Sequence, residues 1–284
     1  MKQLILNMNQ TPFIDVEKIL RDKNKVVAQT LPKFVVNYLK RIVHEKEVNA
    51  FIEKNGHLRN HEFVNACFAE MGAKVTFTGL DNIPETGGCI VAANHPLGGL
   101  DAIGLMKIIG EKRPDIRFFV NDILLNLQGF GELFVGVNKH GKNPKENLRL
   151  MDEVFASDNC VLFFPAGLVS RRNNGIIRDL EWQKSFVTKA IRYKKPIIPT
   201  FIGGENSHFF YRLANLRKTL GIKANLEMLY LADEMYRQRN QTINYAFGET
   251  IDPQRFTREK NHLEWAAALK DYIYRLAENS DAKF

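Results

Sequence analysis

Hydrophobic and polar positions follow two different rhythms along this chain of 284 residues. In the first quarter, apolar residues recur at intervals of three and four, the spacing of amphipathic helices. From residue 73 onward, short apolar or alternating runs, typical of strands, are separated by stretches of helical spacing. The sequence therefore predicts an α/β domain over 73–284, with a mixed central sheet flanked by helices, preceded by a helical N-terminal extension over 1–72.

Seven runs are short enough and apolar enough to be strands. They cover residues 74–79, 89–93, 116–121, 134–137, 161–164, 197–202 and 225–231. Helical spacing is found over 60–71, 101–110, 144–157, 180–194 and 262–278. In sheets built from such alternation, the loops that carry reactive side chains gather at the carboxyl ends of the strands.

Residues 32–54 have the pattern of one amphipathic helix with basic residues beside its apolar stripe. The stripe consists of Phe34, Val35, Tyr38, Leu39, Ile42 and Val43. A basic amphipathic helix of this kind can lie on an anionic membrane surface. Packing of the stripe against the rest of the protein is the commoner arrangement, and we favour it.

Positive charge is concentrated in one part of the chain. The net charge is +8, and residues 171–223 contain twelve lysines and arginines against three acidic residues. Such a segment suits an anionic partner, which phospholipid headgroups, an acidic carrier protein or nucleic acid would provide. Solvated helix faces explain the same charges as well. No nucleic-acid-binding motif accompanies them, so we expect no nucleic acid partner.

The remaining composition is typical of a globular cytoplasmic protein. No stretch approaches the roughly 18 apolar residues of a membrane span, and the first ten residues lack the pattern of a secretory signal. Cys67, Cys89 and Cys160 form no Cys-x-x-Cys pair, and we expect reduced, mostly buried thiols. His57 and His61 lack the glutamate of a zinc-protease helix, so we expect no metal site.

The most informative segment follows the predicted strand 89–93. His95 stands just beyond the strand, and Pro96 directs it toward an extended conformation. Asp101 follows one short loop later. A carboxylate at this position can fix the tautomer of the imidazole and stabilise the imidazolium, as a general base requires. The alternative is structural, because Asp101 also suits the start of the helix 101–110 and a single loop histidine is often only a hydrogen-bonded surface residue.

Two glycines stand between the histidine and the aspartate. Gly98 and Gly99 allow a tight turn and leave backbone N–H groups uncovered. Such groups suit an oxyanion. No serine or cysteine stands in this loop as a nucleophile, which favours direct transfer over a covalent intermediate.

The segment Asn94-His95-Pro-Leu-Gly-Gly-Leu-Asp101 resembles the first motif of the glycerolipid acyltransferase superfamily, in which a His–Asp pair deprotonates the acceptor. That superfamily usually has four residues between the pair, and this chain has five. The longer spacing is similar to that of the hemolysin-like N-acyltransferase branch, whose members make ornithine and glycine lipids. The resemblance implies catalytic roles for His95 and Asp101 and places Asn94 at the substrate.

Two further blocks follow in the order of that superfamily. Residues 131–139 stand where the second motif is expected, with Asn138 and Lys139 in place of its Asp-Arg pair. The resemblance implies substrate contacts for these two residues, and a plain strand followed by a turn explains the segment equally well. Residues 161–172 resemble the Phe-Pro-Glu-Gly-Thr-Arg-Ser block that contacts an acceptor phosphate, with Ala166 in place of the glutamate. The resemblance implies substrate contacts for Phe164, Pro165, Gly167, Ser170, Arg171 and Arg172. The loss of the glutamate favours an acceptor other than a glycerol phosphate.

The resemblance, which covers roughly residues 75–205, implies an enzyme of membrane aminolipid synthesis. It would transfer a fatty acyl group, with or without a 3-hydroxyl, from an acyl carrier protein thioester to the amine of glycine or ornithine at the inner face of the membrane. Coenzyme A is the other possible carrier, and no cofactor is needed. Two alternatives stay open. One is 1-acylglycerol-3-phosphate O-acylation of a lysolipid, and the other is a non-catalytic lipid- or carrier-binding protein.

Overall fold

A computed structural model describes residues 12–120, 122–136, 144–279 and 282–284. The chain divides into two compact units, and the division lies between Gly56 and His57. The first unit holds helices α1 (Val16–Lys23), α2 (Lys25–Thr30), α3 (Lys33–Ile42) and α4 (Glu45–Asn55). The side-chain amide of Asn49 holds this unit together by exchanging two hydrogen bonds of 2.8 Å with the backbone of Ile14.

The second unit is built on a seven-stranded sheet. Its strands are β1 (Lys74–Thr78), β2 (Cys89–Ala93), β3 (Ile116–Val120), β4 (Phe134–Gly136), β5 (Cys160–Phe163), β8 (Ile197–Ile202) and β9 (Thr242–Phe247), with a separate hairpin of β6 (Arg171–Asn173) and β7 (Ile176–Arg178). The order is β1-β9-β8-β2-β5-β3-β4. Every pair is parallel except β8 and β9, so β1 and β9 run against the other five strands.

Helices cover the sheet of the second unit. They are α5 (Asn60–Met71), α6 (Gly99–Gly110), α7 (Asp122–Leu125), α8 (Pro144–Ala156), α9 (Ser185–Tyr193), α10 (His208–Thr219), α11 (Leu231–Arg237) and α12 (His262–Leu276). All five residues of β2 are buried, as expected for a central parallel strand covered on both faces. Helix α6 packs against α5 and is buried along most of its length, whereas α8, α9 and α12 contribute to a core cluster with Ile90 and Val161.

A glycine brings α6 close to β9. Gly104 faces the phenol of Tyr245, and a Cβ at this position would overlap the tyrosine hydroxyl. The hydroxyl itself is buried and has no hydrogen-bond partner within the described chain. Only glycine therefore permits the observed contact between the helix that carries Asp101 and the strand β9.

The structure confirms the predicted mixed sheet flanked by helices. Six of the seven predicted strands are present, but residues 225–231 are not a strand. They form a short 3-10 helix, Leu226–Tyr230, that leads into α11. The prediction failed because the apolar residues of this segment are divided. Met228 and Leu231 pack against Phe210 and Tyr211 of α10, to which the segment is also bonded through its buried Glu227, whereas Leu226 and Leu229 are exposed.

Three further features differ from the sequence-based expectations. The predicted helix 32–54 is two helices, because His44 adopts a left-handed conformation between α3 and α4. The β6–β7 hairpin was missed, although Asn174 and Gly175, both with positive φ, are the typical pair of a tight hairpin turn. The expected domain boundary followed residue 72, whereas α5 belongs to the second unit because it packs on α6.

None of the helices in the described ranges is both long enough and apolar enough to cross a membrane.

Candidate active site

His95 and Asp101 form a hydrogen-bonded pair at the centre of the sheet. His95 follows the carboxyl end of β2, and Asp101 is the third residue of α6. The Nδ1 atom of His95 lies 2.9 Å from Oδ2 of Asp101. The carboxylate side chain is fully buried, and the imidazole is 18 % exposed. With Nδ1–H donating to Asp101, Nε2 is the ring nitrogen left to accept a proton from a substrate.

The loop between the two residues is organised by the same carboxylate oxygen. Oδ2 of Asp101 also accepts hydrogen bonds from the backbone N–H groups of Leu97 and Gly98, at 2.9 and 3.0 Å. Burial raises the pKa of Asp101, and the bonds from His95, Leu97 and Gly98 oppose that rise without cancelling it. Asp101 therefore both orients the imidazole of His95 and closes the turn that presents it.

The loop after β5 supplies the second wall of the site. Because β2 and β5 are adjacent parallel strands, their carboxyl ends meet. The ring of Phe164 stacks on His95 with a centroid distance of 4.3 Å and an angle of 14° between the planes. Gly167 lies in a left-handed turn, its N–H bonded to the carbonyl of Phe164. The carbonyl of Pro165 accepts from the N–H of Gln183 at 3.0 Å.

Asp179 is a site residue whose role the sequence did not reveal. Its buried carboxylate accepts from the backbone N–H of His95 at 3.1 Å, from the hydroxyl of Ser170 at 2.6 Å and from the indole of Trp182 at 2.8 Å. Burial raises the pKa of Asp179, although these three donors oppose the rise. A second bond joins the two loops, because the N–H of Ser170 donates to the carbonyl of His95 at 2.8 Å. The Arg-Asp-Leu-Glu-Trp stretch was visible in the sequence, but only the fold brings it to His95.

The two glycines of the loop are not equivalent. The N–H of Gly98 is bonded to Asp101, so it is not free to hold an oxyanion as the sequence suggested. Gly98 is buried, whereas Gly99 is exposed, and no acceptor in the described part of the chain takes the N–H of Gly99. Gly99 is the first residue of α6, where backbone N–H groups favour negative charge.

Asn94 and Ser170 have structural partners at the site. The amide of Asn94 makes two hydrogen bonds to the backbone of Ile202, at 2.8 and 2.6 Å, and is buried. It therefore joins the ends of β2 and β8, which occupies the groups we expected to contact substrate. Ser170 is likewise buried, with its hydroxyl on Asp179.

The two arginines of the 161–172 block, Arg171 and Arg172, point in different directions, because neighbouring residues of a strand face opposite sides. Arg171 is buried and paired with Glu227 at 2.8 Å, and Arg217 holds the same glutamate at 2.6 Å. Arg171 therefore has a buried acidic partner within the protein and does not face the site as the expected contact of a substrate anion. Arg172 is half-buried, and its guanidinium meets Nδ1 of His208 at 2.7 Å.

The predicted substrate contacts Asn138 and Lys139 lie outside the described residues. Within the described ranges, no three His, Cys, Asp or Glu side chains come together as a possible metal site. The site thus combines an imidazole bonded to a buried carboxylate, a free N–H at a helix N-terminus and an aromatic wall. These are the parts that proton removal and acyl transfer require.

The fold and this site define an acyltransferase. The chain belongs to the acyltransferase family, whose profile matches residues 18–281. A solved structure of similar fold is the 1-acyl-sn-glycerophosphate acyltransferase PlsC from Thermotoga maritima. It has a TM-score of 0.51 and 16 % sequence identity, with 95 % of each chain covered.

Two curated relatives are much more similar in sequence. Both are named lyso-glycine lipid O-acyltransferase. The protein from Bacteroides thetaiotaomicron is 45 % identical over 265 residues, which cover 93 % of this chain and 97 % of the relative. The protein from Phocaeicola vulgatus is 44 % identical over 265 residues, which cover 93 % and 95 %. The names of these relatives assign them acylation of an oxygen, whereas the sequence motifs favoured an amine acceptor.

Proposed function

We propose that this enzyme transfers an acyl group to a hydroxyl of a lyso-glycine lipid, completing a two-chain glycine lipid. The observation that carries the proposal is the His95–Asp101 pair with Nε2 left free, in a chain 45 % identical to a lyso-glycine lipid O-acyltransferase. A hydroxyl has to lose its proton as it attacks a carbonyl, and a positioned imidazole removes it. Glycine, which the sequence motifs favoured as a free acceptor, is in this proposal the headgroup of the lipid acceptor.

The proposed reaction is one direct transfer. Nε2 of His95 takes the proton of the acceptor hydroxyl while the oxygen of that hydroxyl attacks the thioester carbonyl. The tetrahedral oxyanion accepts from the N–H of Gly99, and the C–S bond then breaks. The leaving thiolate takes the proton back from the imidazolium, which Asp101 stabilises throughout. The products are an ester and a free thiol, and the enzyme returns to its starting state.

Arg172 is the residue we assign to the acceptor's carboxylate. It lies two residues beyond Ser170, which is bonded to His95. Its neighbour Arg171 is excluded by its ion pair with Glu227. The Nε atom of Arg172 is buried without a partner in the described structure, and a carboxylate could accept from it together with a terminal nitrogen.

For the donor we propose an acyl carrier protein thioester, used at the inner face of the membrane. An open groove of about 1010 Å³ runs from Gln183, which is bonded to Pro165 of the site loop. Lys184, Arg258 and Lys260 line it. Three cations along one groove complement an acidic carrier and would speed its encounter with the enzyme.

The test is an assay of purified protein with an acyl carrier protein thioester or the matching coenzyme A thioester. Lyso-glycine lipid, free glycine, free ornithine and lysophosphatidic acid are offered separately, and products are identified by mass spectrometry. We expect ester formation on the lyso-glycine lipid. His95→Ala should lower the rate by about 10²–10⁴, the usual contribution of a positioned base.

The control variant is His57→Ala, which changes an exposed histidine and should leave the rate unchanged. Amide formation on free glycine or ornithine would instead support the amine acceptor that the sequence motifs favoured. Acylation of lysophosphatidic acid alone would overturn the assigned acceptor. A His95→Ala variant as active as the wild type would remove the base from the mechanism.

A further inference from the structure

The segment between β8 and β9 exposes an unusual number of large apolar side chains. We name the outer side of α10, the loop after it and the following 3-10 helix the 209–229 surface. Its apolar residues are between 38 % and 63 % exposed, and they are Phe209, Leu216, Leu220, Ile222, Leu226 and Leu229. Contiguous exposed apolar surface on a folded protein marks an interaction site.

The exposure follows from the two-sided character of α10. Phe210, Tyr211 and Ala214 are buried on its inner side, where Phe210 and Tyr211 pack with Val169. Phe209 and Leu216 are two turns apart on the opposite side, so they share one face. The ring of Phe209 meets that of Tyr230 at a centroid distance of 4.9 Å, which joins the start of α10 to the end of the 3-10 helix. The exposed residues thus belong to one surface.

The charges around this surface are of one sign. Arg212, Lys218 and Lys223 are exposed there, and no ion pair is found for them in the described structure. From residue 206 to residue 230 the chain contains a single acidic residue, Glu227. Glu227 is fully buried between Arg171 and Arg217, so no negative charge reaches the exposed side of this segment.

This surface belongs to the segment that borders the loop between β2 and α6, which carries His95 and is called the catalytic loop below. Leu231 and Val169 lie against Gly98, and Met235 lies against Gly99. The 3-10 helix that carries Leu226 and Leu229 leads directly into Leu231. An acceptor leaving a bilayer at this surface would therefore emerge beside the loop that presents His95.

We propose that the 209–229 surface docks the enzyme on an anionic lipid bilayer. The proposal rests on the proposed function, since it explains how a lipid acceptor reaches the site. Apolar side chains would enter the headgroup region while Arg212, Lys218 and Lys223 contact anionic headgroups. A bilayer explains both features, whereas an acidic carrier protein would use the cations and leave the apolar residues in water.

Vesicle co-sedimentation tests the proposal without depending on catalysis. The full-length protein is mixed with phosphatidylcholine vesicles containing about a third phosphatidylglycerol, or with phosphatidylcholine alone, at low and high salt. We expect binding to the anionic vesicles that weakens with salt, because surface charges are screened. Leu216→Ser with Leu220→Ser, and separately Lys218→Glu with Lys223→Glu, should each reduce binding at least about tenfold. Leu148→Ser with Leu150→Ser changes two exposed leucines of α8 and should not reduce binding.

Turnover of a short-chain acceptor that stays monomeric in solution separates docking from the site. The surface variants should acylate it at the wild-type rate and should lose activity only on acceptor presented in vesicles. Surface variants that bind vesicles as the wild type does would overturn the proposal. So would a wild type that binds no vesicles, or variants that lose only their affinity for the carrier protein. If the wild type binds through this surface but acylates no acceptor, the docking stands and the proposed function fails.

Discussion

Asp101 has two roles that the same carboxylate oxygen performs. Oδ2 holds Nδ1 of His95 and also closes the loop by accepting from Leu97 and Gly98. An asparagine at this position can keep an oxygen on the loop N–H groups, but it cannot stabilise an imidazolium. Catalysis and loop structure can therefore be separated by a single substitution.

Asp101→Asn should lower acyl transfer by about 10²–10⁴ without destabilising the fold. Because burial raises the pKa of Asp101, the contribution of this residue to folding stability is present at low pH and is lost as the pH rises through the raised pKa. Removing the charge should leave the free energy of unfolding at neutral pH equal or higher, as measured by urea denaturation. If Asp101→Asn lowers the free energy of unfolding as well as the turnover rate, the carboxylate acts mainly by holding the loop.

Asp179 should behave in the opposite way. Asp179→Ala leaves the donors of His95, Ser170 and Trp182 without their acceptor, at a cost of about 1–3 kcal/mol for each buried group. We expect a lower free energy of unfolding and reduced turnover together. Asp271→Ala removes an exposed partner of Arg178 and is the matched control, with little expected change. Asp179→Ala with wild-type stability would show that the three donors find other partners.

Single residues were predictable from the sequence where their partners are close in the chain. His95 and Asp101 are six positions apart, and the structure brings them together as expected. The partner of Arg171 is Glu227, fifty-six positions away, so this ion pair could not be foreseen. Asp179 was overlooked for the same reason, because its bond to His95 spans 84 positions.

At the scale of elements, the segment between β8 and β9 depends on a buried charge cluster. Glu227 of the 3-10 helix joins Arg171 of β6 to Arg217 of α10. Burial opposes the charged form of Glu227, but the bond from Arg217 and the charge of Arg171 outweigh it and lower the pKa. The cluster thereby ties the hairpin to the segment that borders the catalytic loop.

Glu227→Gln should therefore loosen this segment. Leaving Arg171 buried without its partner costs about 3–5 kcal/mol. Since the pKa of Glu227 is lowered from its ordinary value of 4.5, its stabilisation is present above that pH and disappears as the pH falls through the lowered pKa. The stability difference between wild type and variant, measured by thermal denaturation, should be large at pH 7 and shrink below about pH 4.

The matched control is Glu132→Gln, which removes an exposed partner of Arg117 and should have almost no effect. A constant difference across the whole pH range would show that Glu227 contributes by packing and not by charge. Periodicity alone could not assign this segment, because its apolar residues are divided between the core and the 209–229 surface. Strands such as β2, which are apolar throughout, were predicted correctly.

At the scale of the whole molecule, the sequence predicted the α/β class and the meeting of two motif loops at the strand ends. It did not reveal β9, whose alternating pattern of exposed and buried residues is ordinary for a strand but lies beyond the recognised motifs. It also could not show how much of the basic segment is already neutralised. Lys189 and Arg192 pair with Asp152, and Lys195 pairs with Asp158. Both aspartates precede residue 171, so a count of charges within 171–223 leaves them out.

The position of β9 has a consequence for the order in which the protein can be assembled. β1 lies at the edge of the described sheet, and its neighbour there is β9. On the ribosome, domains are built from the N-terminus onward. β1 therefore has to wait, unpaired, until residue 247 has left the ribosome. The catalytic loop is synthesised early, but α6 meets Tyr245 only when β9 arrives, so the site is completed near the end of translation.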